Sequence, residues 1–521
     1  LMSSSSSALK KGKACICCRR RKLKCDGVRP ICSQCIDSGR EMDCEYTDSF
    51  NSTRTELLED YLAQLQQRAR ELEAGRSSRG HTNPNVQPYG ACASVNMESA
   101  PVSWWDYEPL PPNISKYLQD KFFERSSQLS FSLDVPRMKA ALALKPSDDK
   151  YPHEGLIYAI YLWGARLSGN RDVAKPQAER AFFERATQAL QIQLDTQSAT
   201  RHLQAVQTQI LLALYAYACG RPIETDYHVT AAISLILSSG MHVVSPGQNN
   251  GDNVDEGERI MLFWQVFILD HCWAVASRKP ARLRVDEKSD MMITTPWPLW
   301  AHEYVAGSSA FQAANHSQPV RQFIMERGNS TSGYSALALA AKASAVYELA
   351  SRLASSRPSA NVNEQLQETI RLADETIVTF ISTLASLDVE APQDRKCHFV
   401  MLHCIAYSSL IVLHETVSSS DASAYGRCLH AARLISATLG YLKADEVASL
   451  PAFVIPSCTL ACKVLLSETR RVRDTPPGRE VSVPSDVIEA ESTRIMQTLV
   501  QLRSTYPVVG EYSISSNRAR R

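Results

Sequence analysis

Residues 14–44 read ACICCRRRKLKCDGVRPICSQCIDSGREMDC. The cysteines at 15, 18, 25, 32, 35 and 44 give the spacing C-x2-C-x6-C-x6-C-x2-C-x8-C, two half-units each built on a C-x2-C pair. Thiols at that interval present two sulfurs to one ion from a single backbone turn, and soft thiolates in a tetrahedral set suit zinc. Six thiolates can close one zinc with two left over, or two zincs if two sulfurs are shared; the symmetry of the spacing favours the second count. With sulfur at every position no site is left for water or substrate, so the metal is expected to be structural. About 30 residues bury too little apolar surface to fold alone, and the metal must supply the folding energy.

Charge is concentrated in the same place. From Lys10 to Arg29 there are nine basic residues and one acidic residue, a balance of +8 in a chain whose net charge is +1, so the remainder carries −7. Such a patch suits phosphate binding, with an affinity that falls steeply with salt. Lysine or arginine at a helix end can also take the guanine O6 and N7 acceptors in the major groove. The run would serve equally as a nuclear-import signal. Cys17, one residue from Cys18 and outside the ligand spacing, reads as a spare thiol on the solvent side. No secretory leader pattern precedes the cluster and the other eight cysteines are scattered, which points to a reducing interior rather than a disulfide framework.

The cysteine pattern, the basic run Arg19-Arg20-Arg21-Lys22-Leu23-Lys24 and Pro30 two residues before Cys32 resemble the DNA-binding domain of the fungal zinc binuclear-cluster transcription factors. The resemblance implies two zinc ions bridged by Cys15 and Cys32, with Cys18 and Cys25 completing one and Cys35 and Cys44 the other. It also implies a short first helix that enters the major groove of double-stranded DNA and reads a CGG triplet. Arg21 and Lys22 are then expected to read bases, and Arg19, Arg20 and Lys24 to hold phosphates. The final interval of eight is at the long end of the family's range.

Behind the cluster, TRTELLEDYLAQLQQRARELEAG (residues 53–75) predicts a helix with a Thr53/Glu56 capping box and a Gly75 stop. Leu58, Leu62, Leu65, Ala69 and Leu72 recur at intervals of 4, 3, 4 and 3, the seam of a coiled coil, with Arg68 and Glu73 at flanking positions that favour a parallel partner. Many members of the family place such a helix there, so a homodimer on paired triplets is expected. Residues 76–102, rich in Ser, Gly, Asn and Pro, read as a tether.

From Trp104 onward apolar residues keep a helical period and strand-like alternation is almost absent, so the bulk is expected to be all-α. Predicted helices cover 114–129, 136–144, 152–168, 177–194, 200–218, 223–239, 256–277, 336–354, 364–387, 397–416, 422–442, 452–469 and 485–504. HLQAVQTQILLALYAYACGR, YHVTAAISLILSSGMHV and EGERIMLFWQVFILDHCWAVASRKPA resemble the middle homology region of the same fungal regulators, whose closing Gly-Arg-Pro turn stands here as Ser277-Arg278-Lys279-Pro280. Phe263, Trp264, Phe267 and Ile268 share one helical face and read as core. His202, His228, His242 and His271 lie on separate helices and read as structural, as do His398 and His403 beside Cys397 and Cys404. Glu256, Glu258 and Arg259 read as a solvated face or helix-start pairs. The apolar run 399–413 is too short to cross a bilayer, and no membrane span is expected.

The organisation expected is a disordered start (1–9), the zinc-cluster domain (10–46), a linker and dimer helix (47–75), a tether (76–103), a helical regulatory domain (104–300), its helical continuation (301–510) and a basic tail (511–521). The function expected is a nuclear, non-enzymatic, sequence-specific regulator of RNA polymerase II genes, working with the transcription machinery and with room among its helices for a small-molecule effector. A zinc or redox sensor using the same thiols is the competing reading, but it would need neither the basic patch nor the helical mass.

Overall fold

In a computed structural model, residues 14–28, 32–38, 44, 103–193, 198–243, 252–284, 291–310, 318–329, 332–356, 364–388, 390–474 and 483–510 are described. The seam Leu58, Leu62, Leu65, Ala69 and Leu72, the tether and both chain ends lie outside the described residues. The chain divides into two units, Leu1–Glu98 and Ser99–Arg521. Every regular element among the described residues is helical.

The first unit holds two five-residue helices, α1 (Ile16–Arg20) and α2 (Ser33–Asp37). Its buried cluster is made of sulfur: Cys15, Cys17, Cys18, Cys25, Cys32 and Cys35, with Ala14 and Cys44 packed against them. No aliphatic or aromatic core is present there among the described residues, so cross-linking through those sulfurs has to do what apolar burial does elsewhere.

The second unit is a helical assembly whose single buried cluster runs from Leu110 to Val509. Its helices are α3 (Pro112–Phe123), α4 (Val135–Leu142), α5 (Glu154–Leu167), α6 (Pro176–Gln193), α7 (Ala199–Ala218), α8 (Pro222–Ser238), α9 (Asn253–Ser277), α10 (Ala301–Val305), α11 (Pro319–Met325), α12 (Ala336–Ser355), α13 (Glu364–Thr383), α14 (Gln393–Glu415), α15 (Ala422–Leu439), α16 (Val454–Arg473) and α17 (Ser485–Leu502). Neighbours in sequence pack as antiparallel pairs (α5 with α6, α7 with α8, α14 with α15, α16 with α17), and α12 bridges α9 to α14. The far end of the chain closes on the same core: the Val508 amide donates to the Ala218 carbonyl at 2.9 Å, and the Gln128 amide donates to the Tyr506 hydroxyl at 2.8 Å.

α9 is the central strut. Asp252 caps it, accepting the Asp255 amide at 2.9 Å, and Arg278 closes it in the left-handed region at φ 55°, its N–H and that of Lys279 returning to Val275 and Ala274. That is the geometry of a helix stop ordinarily supplied by glycine, achieved here by arginine at some local strain. Phe263, Trp264 and Phe267 are fully buried and Ile268 nearly so, as their shared face predicts. Trp264 stacks on Trp297 at 4.4 Å and donates its indole N–H to the Pro296 carbonyl at 2.7 Å, pinning the segment that leads into α10. Asp270, fully buried, accepts the amides of Arg282 and Leu283, both at 2.8 Å, so the chain leaving α9 folds back along it.

Several expectations need correcting. Glu256 and Glu258 are buried rather than solvated: α9 begins three residues before the predicted helix, which turns this stretch inward. There the Ser309 hydroxyl donates to Glu256 and the Asp134 amide to Glu258, while Arg259 donates to the Gly240 carbonyl at 2.8 Å. The stretch 114–129 breaks at Glu124 into α3 and a single 3-10 turn, Ser126–Leu129. α9 and α14 are each long and apolar enough to cross a membrane by length and composition, but 72% of each apolar window is buried inside the unit, as core helices are. His403 is buried and His398 only half-buried, each giving its Nδ1 to the carbonyl four residues back. His228 meets Gln209 at 2.7 Å and His271 the Phe267 carbonyl at 2.9 Å, consistent with structural roles.

Two features show how tightly the unit is assembled. A Cβ on Gly164 would stand 2.2 Å from the Leu118 carbonyl oxygen, so α3 and α5 cross at a distance only glycine allows. Arg166 and Glu179 form an ion pair at 2.8 Å with both side chains about nine-tenths buried, and the Tyr215 hydroxyl donates to the same carboxylate at 2.9 Å. A charge pair withdrawn from water holds only when its hydrogen bonds are satisfied, and this one is.

Candidate metal centre and nucleic-acid interface

Each half of the first unit repeats one local design. Cys15 is the N-cap of α1, with extended backbone, and its Sγ accepts the Cys18 amide at 3.3 Å; Cys18 follows one turn later. Cys32 is the N-cap of α2, its carbonyl accepting the Cys35 amide at 3.0 Å, and Cys35 follows one turn later. A cap residue and the residue three further on lie on the same side of a first helical turn, which is why C-x2-C presents two sulfurs together.

The two halves bring those four sulfurs into one set. Cys15 Sγ lies 3.8 Å from Cys32 Sγ and 3.8 Å from Cys35 Sγ, and Cys18 Sγ lies 3.7 Å and 3.9 Å from the same two. A tetrahedral zinc with Zn–S of about 2.3 Å has sulfur–sulfur edges of about 3.8 Å, so these spacings are those of a tetrahedral thiolate set; the grouping differs from the one the family resemblance implies, which divides Cys18 and Cys35 between two ions that share Cys15 and Cys32. The remaining expected ligands gather round Cys32. Cys25 Sγ, the Asp26 carboxylate and Cys32 Sγ all lie within 4.8 Å of one another, and Cys44 Sγ accepts the Cys32 amide at 3.3 Å.

The seventh thiol departs from expectation. Cys17 is only 8% exposed and belongs to the sulfur cluster rather than to the solvent side. Spacing alone carries no signal for this.

Proton affinity follows from crowding. Burial pushes the Cys15, Cys18 and Cys35 thiols up. Burial also acts on Cys32, but the Cys35 amide and the surrounding thiols outweigh it and hold Cys32 down to about 7. Without metal, one thiolate of the four forms readily near neutrality; loading the others with zinc means displacing their protons.

Beside the sulfurs lies the basic run. Arg19, Arg20, Arg21, Lys22 and Lys24 are all exposed. α1 ends at Arg20, Lys22 turns through the left-handed region at φ 53°, and the Leu23 amide returns to the Cys18 carbonyl at 2.9 Å. The Arg19 guanidinium donates to the Ala14 carbonyl at 3.2 Å, while Asp26 accepts the Val28 amide at 3.3 Å and the Ser33 amide at 3.2 Å, tying the loop to α2. The arrangement is a buried set of metal-ligating sulfurs beside a cationic rim.

Residues 13–53 match the Fungal Zn(2)-Cys(6) binuclear cluster domain, which holds two zinc ions, and residues 116–325 match the Fungal specific transcription factor domain. The chain is 32% identical over 130 residues to the zinc finger transcription factor YRR1 of Saccharomyces cerevisiae, covering 22% of this chain and 15% of that protein. It is 21% identical over 361 residues to the citrinin biosynthesis transcriptional activator ctnR of Monascus purpureus, covering 58% of each. It is 37% identical over 107 residues to the heme-responsive zinc finger transcription factor HAP1 of Saccharomyces cerevisiae, covering 18% and 7%. The chain thus spans less than two thirds of the length of each of these relatives.

Proposed function

We propose that this member of the fungal zinc binuclear-cluster family is a sequence-specific, DNA-binding regulator of transcription. The observation that carries the reading is a cluster of buried cysteine sulfurs, some at the spacing of a tetrahedral thiolate set, beside an exposed run of five cations. Zinc supplies the rigidity that the sulfur-only core cannot supply by itself. In this reading Cys15 and Cys32 bridge two ions, Cys18 and Cys25 complete one, and Cys35 and Cys44 the other.

Arg21 and Lys22, at the end of α1, carry their donors to base edges of a CGG-type triplet, while Arg19, Arg20 and Lys24 bind phosphates. Leu58, Leu62, Leu65, Ala69 and Leu72 pair two chains, so that two triplets are read at once. The helical unit is regulatory: it receives a small-molecule signal and meets the transcription machinery. The protein works in the nucleus on RNA polymerase II genes and catalyses no reaction.

Selection of bound sequences from a random duplex pool by the zinc-loaded full chain tests this. Enrichment of paired CGG-type triplets, with two zinc equivalents per chain, is the expected result. A pool that stays random, or a chain holding fewer than two equivalents, refutes it.

A further inference from the structure

A cavity of about 560 Å³ opens in the helical unit between α4, the segment after it, and the starts of α7 and α9. That volume is in the range of a drug-sized ligand. Leu133, Met138, Ala141, Leu144 and Leu203 give it an apolar wall. Set in that wall is Glu258, whose side chain belongs to a residue only 6% exposed. One of its oxygens accepts the Asp134 amide at 2.7 Å; no cation pairs with this carboxylate among the described residues.

The nearest cation, Arg137, is committed elsewhere. It donates to Asp255 at 2.5 Å and to Asp252 at 2.7 Å, which leaves its charge neutralised at the rim. Besides Arg137 and Glu258, the lining carries Asp134 from the cap of α4, Asp149, Lys150 and Tyr151 from the following segment, Arg201 from α7, and Asp255 from α9. Carboxylates outnumber cations, and Glu258 has no cation within ion-pair distance among the described residues: Arg137 acts on it only through space while bonded to Asp252 and Asp255. Burial accordingly pushes Glu258 up to about 7, so the site as it stands half-refuses the negative charge it offers.

We infer that this cavity binds a small apolar molecule bearing a protonated amine, with Glu258 as its counter-ion. The apolar wall takes the hydrocarbon and the carboxylate takes the ammonium, a pairing that an alcohol cannot replace and a carboxylate ligand would oppose. Because the ammonium favours ionised Glu258, occupancy releases a proton from that residue near neutrality. The inference rests on the regulatory role proposed for the helical unit only for its purpose. Ligand binding is measured without DNA, so a failure here leaves DNA recognition standing, and a failure there leaves the cavity chemistry standing.

The test is calorimetric titration of the zinc-loaded full chain at pH 7 with n-octylamine, 1-octanol and octanoate. Octylamine is expected to bind saturably at one site, at least tenfold more tightly than octanol, with octanoate weaker still and with proton release visible as buffer-dependent heat. Glu258→Gln keeps an oxygen for the Asp134 amide, so it should fold; it is expected to reduce octylamine to the affinity of octanol and abolish the proton release. Ala141→Trp fills the cavity from the opposite wall and is expected to abolish binding of both. Equal affinities for amine and alcohol, undiminished amine binding by either variant, or no saturable binding at all would overturn the inference.

Discussion

Asp270→Asn isolates what a buried carboxylate contributes to the fold of the helical unit. Asp270 is fully buried; one oxygen accepts two backbone N–H groups at 2.8 Å, the other has no hydrogen-bond partner, and the Arg282 guanidinium stands 3.9 Å away. Burial outweighs those bonds and pushes its pKa from 3.8 up to about 6. The folded chain therefore holds more protons than the unfolded chain between those two values, and the contribution of Asp270 is fully present below pH 3.8 and lost as pH rises to about 6. A shift of roughly two units corresponds to about 3 kcal/mol. Asparagine keeps an oxygen for both amides but puts an unmatched NH2 where the idle oxygen was, at a cost of about 1–3 kcal/mol. The variant is thus expected to be less stable than wild type at pH 4.5 and level with it, or above it, at pH 8. All seven tryptophans lie between residues 104 and 300, so urea unfolding followed by their fluorescence reads this unit alone. If the difference between variant and wild type is the same at both pH values, Asp270 does not titrate in this window and the reasoning fails.

Four further outcomes are expected. Lys22→Ala should weaken binding to a CGG-type duplex by about 1–3 kcal/mol while leaving zinc content unchanged; equal losses on specific and random duplex would remove Lys22 as a base reader. Chelation should release about two zincs per chain and abolish DNA binding without changing tryptophan fluorescence, and reloading should release protons, more per zinc at pH 6 than at pH 9, because burial holds most of the thiols protonated; a fluorescence change on chelation would contradict separate stabilisation of the two units. Gly164→Ala drives a methyl into the Leu118 carbonyl and should cost about 1–3 kcal/mol or more, read as a lower thermal midpoint. Glu179→Ala leaves the Arg166 charge and the Tyr215 hydroxyl stranded and should cost about 3–5 kcal/mol, much of it recovered in Arg166→Met/Glu179→Ala; no recovery would mean the pair is not the source of the loss.

What could be read from the sequence was whatever local chain geometry determines. C-x2-C places two sulfurs on one turn wherever it occurs, so the pairs Cys15 with Cys18 and Cys32 with Cys35 were legible from spacing; the grouping of all four, which places Cys18 beside Cys35, depends on how the two halves face each other and was not. Long helices announce themselves by period, and α5 to α9 begin and end within three residues of the predicted bounds. α10 and α11, at five and seven residues, span less than two turns, too short for a periodic signal to emerge. Cys17 and Glu258 were misread for a different reason. Their burial depends on what faces them across the fold, and a thiol off the ligand spacing or a glutamate near a helix start is by default a surface residue. Glu258 also lines the cavity of the helical unit, where a residue breaking a local rule marks a candidate site.

The two units are stabilised by opposite means, and that difference bears on their division of labour. In the first, the buried atoms are sulfur and the cations from Arg19 to Lys24 stay exposed, so closing the fold keeps the charged face at the surface. A domain of that size held by an apolar core would have to spend large side chains on its interior and would have few positions left for donors; metal ligation needs only six residues. In the second, aliphatic and aromatic side chains fill the interior, and some polar groups enter it as a satisfied set, as Arg166, Glu179 and Tyr215 do. Glu258 is a buried carboxylate with no cation at ion-pair distance among the described residues, on a cavity wall large enough to admit one. An unmatched charge beside open space is costly to maintain unless something fills the space and matches the charge; the histidines offer no such pairing, since His228, His271 and His403 each bond a neighbouring amide or carbonyl and His242, whose Nδ1 is buried without a hydrogen-bond partner among the described residues, does not line this cavity.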